Sequence, residues 1–242
     1  MKNMLKKITV CLALAFYALQ GFAQAKVKEL NFQDIVKNYH TQAANGKMMK
    51  CLHAFDLVWS DEFQQREKVV VHFPHERGTD WEEIQLYQWD PFLKTWNLMK
   101  GVKVQKVLLR RQEFEEVAIL DQGVYAMMVP LEQTKGVTVS LPAGYQLKSF
   151  QLSDPTLNFV FKYKVGFNNR TIKIPVDLPP ATARVDAVWL DKKGKRVEWK
   201  NYPIERLDEL TKDELISGKW DIKVSKKQLL AENKLNQKKE KK

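Results

Sequence analysis

The stretch LNFVFKYKV, residues 157–165, sets an apolar side chain at every second position: Leu157, Phe159, Phe161, Tyr163 and Val165, with Asn158, Lys162 and Lys164 between them. A period of two is that of a pleated strand, so these five share one sheet face. The same alternation runs through Val69, Val71 and Phe73, through Ile84 and Leu86, and through Trp96 and Leu98 towards Val102 and Val104. It returns in Val117 and Ile119, then in Tyr125, Met127 and Val129, and then in Val137, Val139 and Leu141. Ile172, Ile174 and Val176 follow, then Val185, Ala187 and Trp189 with Val197 and Trp199 returning, and finally Trp220, Ile222 and Val224. Turn signals such as Asp121-Gln122-Gly123, Phe167-Asn168-Asn169 and Asp191–Gly194 separate these runs at intervals of about ten residues. Such spacing, with few helical stretches between, opposes a βαβ fold and predicts a mainly β chain.

A chain of 242 residues accommodates two β domains. The boundaries expected are 47–131 and 132–225, two tandem antiparallel β-sandwiches, with the segment PLEQTKG (130–136) as the joint. Before them, residues 26–46 hold an amphipathic helix over 31–45, because Phe32, Ile35, Val36 and Tyr39 share a helical face and Asn45-Gly46 ends it. Between Tyr202 and Gly218 a helical insertion is expected, with Thr211 and Glu214 at capping-box spacing. Residues 226–242 form a Lys-rich tail, helical or disordered.

Residues 1–25 read as a secretory signal peptide. Lys2, Lys6 and Lys7 precede an apolar stretch from Ile8 to Leu19, and GFAQA (21–25) ends it in small residues, so cleavage is expected after Ala23 or Ala25. The mature chain is then exported to a bacterial periplasm or cell surface, and no later apolar run is long enough to make it an integral membrane protein. Cys51 is its one remaining cysteine, so it holds no internal disulfide. The formal net charge of +11 suggests nucleic acid, but the leader carries three Lys without an acid and the tail seven Lys against Glu232 and Glu240. That leaves +3 on residues 26–225, too balanced for a phosphate-binding face. No nucleic-acid partner is expected.

Two constellations are candidates for chemistry. Cys51-Leu52-His53 and His72-Phe73-Pro74-His75 set a thiol and three imidazoles on two strands. Cys51 and His53, two apart, would share a face, and the second pair could complete a zinc tetrahedron or supply a base to a thiol nucleophile. The spacing matches no structural zinc motif, so neither a metal nor any other cofactor is assigned. The simpler reading makes Cys51 a small buried apolar residue and the histidines surface groups. The acid pairs Glu82-Glu83, Glu115-Glu116 and Asp208-Glu209 place adjacent carboxylates on opposite faces of a strand and make no dyad. They read as solvated acids balanced by nearby Lys and Arg. No catalytic residue is assigned, and the chain is read as a non-enzyme.

Seven tryptophans offer flat faces for a core or a partner. Tyr87 and Trp89 alternate with Ile84 and Leu86, so their side of the strand is expected to be open. Tyr87, Trp89 and Trp96 are the binding candidates. WDPFLKTWNLM (89–99) followed by DQGVYAMMV (121–129) resembles the hairpin and Gly-x-Tyr strand of immunoglobulin-like domains of bacterial envelope proteins. VDAVWLDKKGKRVEW (185–199) with SGKWDIKV (217–224) is similar to the last hairpin and closing strand of such sandwiches. The resemblance implies an interaction role: partnership with an envelope protein or a surface assembly. Residues 31–59 are similar to the start of periplasmic lipoprotein-carrier proteins, whose curved sheet holds acyl chains; the alternative is therefore a carbohydrate- or lipid-binding periplasmic module, with exposed Trp and Tyr faces suiting sugar rings and Phe159, Phe161 and Tyr163 lining an acyl site.

Overall fold

In a computed structural model the residues described are 25–59, 68–119, 121–133, 137–140, 146–163, 171–174, 176, 178, 181–190, 193–194, 196–203 and 221–223. Residues 1–24, 204–220 and 224–242, on which the expected leader, helical insertion and Lys-rich tail fall, lie outside them. The chain is mainly β, with several antiparallel sheets and one α-helix among the described residues.

In the first half β1 (Ala25–Glu29), β2 (Met49–Trp59), β3 (Val69–Pro74), β4 (Gln85–Asp90), β5 (Thr95–Leu98), β6 (Gln105–Leu109), β7 (Gln112–Ile119) and β8 (Gly123–Pro130) build two sheets. One is five-stranded in the order β1-β2-β8-β4-β5, and the other runs β3-β7-β6. Both are antiparallel throughout. Phe55 and Leu57 of β2, Leu86 of β4, and Tyr125 and Met127 of β8 meet Val71, Phe73, Val117 and Ile119 of the smaller sheet in one apolar cluster. The rings of Phe55, Phe73 and Tyr125 stack through it.

The far face of the larger sheet is covered by the segment that precedes β2. The helix α1 spans only Phe32–Asn38, shorter than the 31–45 expected. Asn31 caps it, accepting from the Asp34 N–H at 3.0 Å while the Asp34 carboxylate accepts from the Asn31 N–H at 3.2 Å; such a cap contributes about 1 kcal/mol. Tyr39 then turns extended, because the next residues pair elsewhere. Thr41 donates its N–H to the Val160 carbonyl at 2.7 Å, and its hydroxyl accepts from the Val160 N–H at 3.0 Å. Ala43 bridges to Trp96. Residues that also suit a helix face are thus spent on strand-like contacts.

The second half holds β9 (Val137–Ser140), β10 (Gln146–Asp154), β11 (Phe159–Tyr163), β12 (Thr171–Ile174), β13 (Arg184–Leu190), β14 (Arg196–Pro203) and β15 (Asp221–Lys223). One sheet runs β11-β10-β13-β14 and another β12-β9-β15, in which β15 is parallel to β9. Phe159, Phe161, Ile172, Ile174, Trp189 and Trp199 are buried together in one cluster that draws on both sheets. Val160, on the opposite face of β11, is buried against the segment around α1. Met48 joins the second-half cluster while Met49 belongs to the first half. The residues from Leu30 to Met49 therefore brace the two halves together.

Candidate functional site

The thiol–histidine constellation weighed as a candidate in the sequence does not assemble. The register of β2 on β8 slips between Cys51, which pairs with Met128, and His53, which pairs with Met127. Leu52 is the extra residue of a bulge, and one extra residue reverses which face follows. Cys51 consequently packs against the α1 side of the sheet, where burial pushes its thiol up to about 12. His53 turns into the space between the two sheets. His72 faces the other side of its own sheet and donates to Glu116 at 2.7 Å. Among the described residues no three of His, Cys, Asp and Glu are grouped so as to hold a metal ion.

Two of the four residues do come together, around a carboxylate that the sequence reading placed in solvent. Glu115 of β7 is 0% exposed. The His75 Nδ1–H donates to its Oε1 at 3.1 Å, and the Nε2 of His53 stands 3.9 Å from its Oε2. That Nε2–H is given instead to the Pro74 carbonyl at 3.1 Å, which leaves Oε2 without a hydrogen-bond partner among the described residues. The His75 ring stacks on Trp81 at 3.8 Å and the His53 ring on Phe73 at 4.7 Å. Desolvation raises the Glu115 carboxyl above the ordinary carboxylate range, against the lowering influence of the two imidazoles and the Glu76 N–H. Both histidines are thus largely buried rather than surface groups. The cluster is a buried carboxylate between two imidazoles, walled by the rings of Trp81 and Phe73. A pocket of about 400 Å³ lies elsewhere, bordered by Lys68, Lys103, Gln105, Glu116 and Asp121.

The aromatic candidates sit on the hairpin of β4 and β5. Trp89 is paired in register with Trp96, and Tyr87 with Leu98. The open face expected for Tyr87 is absent: Tyr87 is 3% exposed and Trp96 1%, because the segment around α1 lies over them. Trp89 is half-buried, packed edge-on against Tyr39, His40 and Trp96. The exposed apolar surface lies one turn further on, at Phe92 (94% exposed) and Leu93 (66%), which the alternation rule cannot reach because they belong to a turn. The turn is tightly held. The Asp90 Oδ1 accepts from the N–H groups of Phe92 and Leu93, each at 2.9 Å. Lys94 adopts the left-handed region, and the His40 Nε2–H donates to its carbonyl at 2.9 Å. The Trp96 indole N–H donates to the His40 carbonyl. This is a rigid prong with an apolar tip. The lining expected of an acyl site is not open either, since Phe159 and Phe161 are core residues.

Trp189 and Trp199 carry buried indole N–H groups that find no hydrogen-bond partner among the described residues, again inside the core rather than on a surface. Among the described residues no helix is long and apolar enough to cross a membrane. Compared with known proteins, the chain matches no family model, no curated sequence and no solved structure.

Proposed function

We propose that this chain is an exported, non-catalytic component of a bacterial cell envelope, built as two tandem antiparallel β-sandwich domains of immunoglobulin-like type, 47–131 and 132–225. It works by holding an envelope protein or surface assembly component. The observation that carries this reading is the β4–β5 prong, where Phe92 stands almost wholly in solvent on a turn fixed by Asp90 and His40. A large apolar side chain on a rigid support loses little conformational freedom on docking, which is the character of an interface anchor. The architecture draws support from the apolar cluster common to the two sheets of each half. It draws more from Tyr125, whose hydroxyl donates back to the Asp121 carbonyl at 2.6 Å. A tyrosine hydroxyl returned to the backbone a few residues upstream is the corner device of such sandwiches.

Site-specific photo-crosslinking in intact cells tests the reading. A photoreactive residue at Phe92 is expected to trap an envelope protein, the adduct is expected to vanish in a Leu93→Ser background, and the same probe at Val70 is expected to trap nothing. Amino-terminal sequencing of the mature chain should begin at Gln24 or Lys26. Absence of an adduct at Phe92, or a chain that keeps Met1 and stays in the cytoplasm, would sink the proposal.

A further inference from the structure

The smaller sheet of the first half ends on β6, which pairs with β7 on one side and with no strand among the described residues on the other. Four of its five residues are exposed, with Leu108 at 68%. Leu109 and Gln112 are register partners across a turn of two residues, Arg110 and Arg111. Antiparallel ladders alternate bonded and non-bonded pairs, so the backbone N–H and C=O of Lys106 and Leu108 point away from β7. Soluble proteins blunt such edges, as the Lys26, Lys28 and Glu29 side chains do on the exposed edge strand β1. β6 carries Gln105, Val107, Leu108 and Leu109, and its one charged residue, Lys106, is already engaged by Glu113 and lies over the Trp81 ring.

The turn is also strained. Arg110 and Arg111 both hold positive φ, +50° and +69°, in a two-residue hairpin where Asn-Gly would sit without strain. Two arginines kept in that conformation present their charge at the end of the open edge. From Lys103 to Arg111 the sequence KVQKVLLRR holds four cations and no acid, and Lys103, Arg110 and Arg111 make no ion pair among the described residues. That charge opposes self-pairing: antiparallel pairing of two β6 strands about Val107 would bring Lys103 of one copy beside Arg111 of the other.

We infer that β6 is a template for strand addition, and that its occupant is an extended, acidic segment of a partner polypeptide. Main-chain bonds to Lys106 and Leu108 extend the sheet, alternate apolar side chains lie on Val107 and Leu109, and carboxylates meet Arg110 and Arg111. This rests on the interaction reading above and adds the chemistry of the partner.

A blocked peptide of alternating Val and Glu is the probe, with the Val/Lys peptide as control. Binding of the first is expected to slow amide exchange at Lys106 and Leu108 and to weaken with salt; the second is expected to do neither. Arg110→Asn with Arg111→Gly should relax the turn, keep or raise the unfolding midpoint, and weaken the Val/Glu peptide about tenfold. Leu108→Pro should fold, because the N–H it removes lies outside the ladder, and should abolish exchange protection. Peptide affinity unchanged in the arginine variant overturns the inference, as does protection at Lys106 that grows with protein concentration in the absence of peptide. If the peptide fails while the Phe92 crosslink persists, strand addition is wrong and the envelope-binding reading stands.

Discussion

Asp154 and Glu115 are both fully buried, one in each half of the molecule, and their surroundings differ sharply. Asp154 ends β10 and accepts four hydrogen bonds: from the Thr156 N–H at 2.8 Å, the Thr156 hydroxyl at 2.5 Å, the Leu157 N–H at 3.0 Å and the Thr182 hydroxyl at 2.6 Å. Three of these close the β10–β11 turn on itself, so the carboxylate is a structural cap. Glu115 accepts from the His75 imidazole and is approached by the Glu76 N–H and a second imidazole, but its Oε2 has no hydrogen-bond partner among the described residues. A buried charge is tolerated when its lone pairs are satisfied and is costly when they are not. The second half has spent its buried acid on a turn. The first half holds its acid beside two titratable rings.

The largest effect should come from removing the satisfied acid. Asp154→Ala takes the shared acceptor from the four donors that close the turn, and a loss of about 3 kcal/mol in urea unfolding is expected. Asp154→Asn keeps one acceptor but replaces the other by a donor facing Thr182, and should lose about half as much. A loss under about 1 kcal/mol for Asp154→Ala would mean that the turn closes without its cap.

Glu115 should respond in the opposite way. Glu115→Ala leaves a void and strands the His75 N–H, at a cost of about 2 kcal/mol. Glu115→Gln keeps an acceptor for His75 and removes the desolvated charge, so near neutral pH it should match or exceed the wild type by up to about 1 kcal/mol. The pH dependence follows from the direction of the shift. A carboxyl raised on folding stabilises the folded state when protonated, and that stability is lost as pH rises through the folded value. The advantage of Glu115→Gln over wild type should therefore be greatest above that value and should close as the solution is acidified towards the ordinary carboxylate range. The change in the urea-midpoint gap between pH 8 and pH 5 reports the carboxyl together with its coupling to the two imidazoles, which Glu115→Gln removes. A gap that does not close on acidification would show that the carboxyl is not raised on folding.

The contrast also explains which parts of the structure were legible beforehand. In β13 the burial alternates residue by residue, so RVDAVWL reads directly as a half-buried strand. β11 was equally clear in its Leu157, Phe159, Phe161 and Tyr163 stripe, all of which enter or pack on the second-half core. β2 is buried on both faces and carries a bulge, which erases its alternation and separates Cys51 from His53. β10 is interrupted between Leu147 and Ser149, and β6 is exposed on both faces, so neither shows a period of two. Glu115 was hidden for a different reason. Beside Glu116 it looks like half of a solvated pair, and only the sheet packing tells which of two neighbouring carboxylates faces inward.

The smallest expected loss of stability concerns the contact that ties the two regions together. Thr41 is buried, its N–H and hydroxyl both engage the backbone of Val160, and its own carbonyl accepts from Met49. Thr41→Val preserves shape and leaves the Val160 N–H unpaired, a cost of about 1–2 kcal/mol. The informative readout is where that cost falls. If the halves unfold as one unit, amide exchange should quicken equally in β2 and in β13, because both report the same global opening. If only β11 and the residues near α1 quicken, the brace opens locally and each half is stable by itself. In that case the unequal treatment of Asp154 and Glu115 belongs to two separate folding units, and a change at Glu115 should leave exchange in β13 untouched.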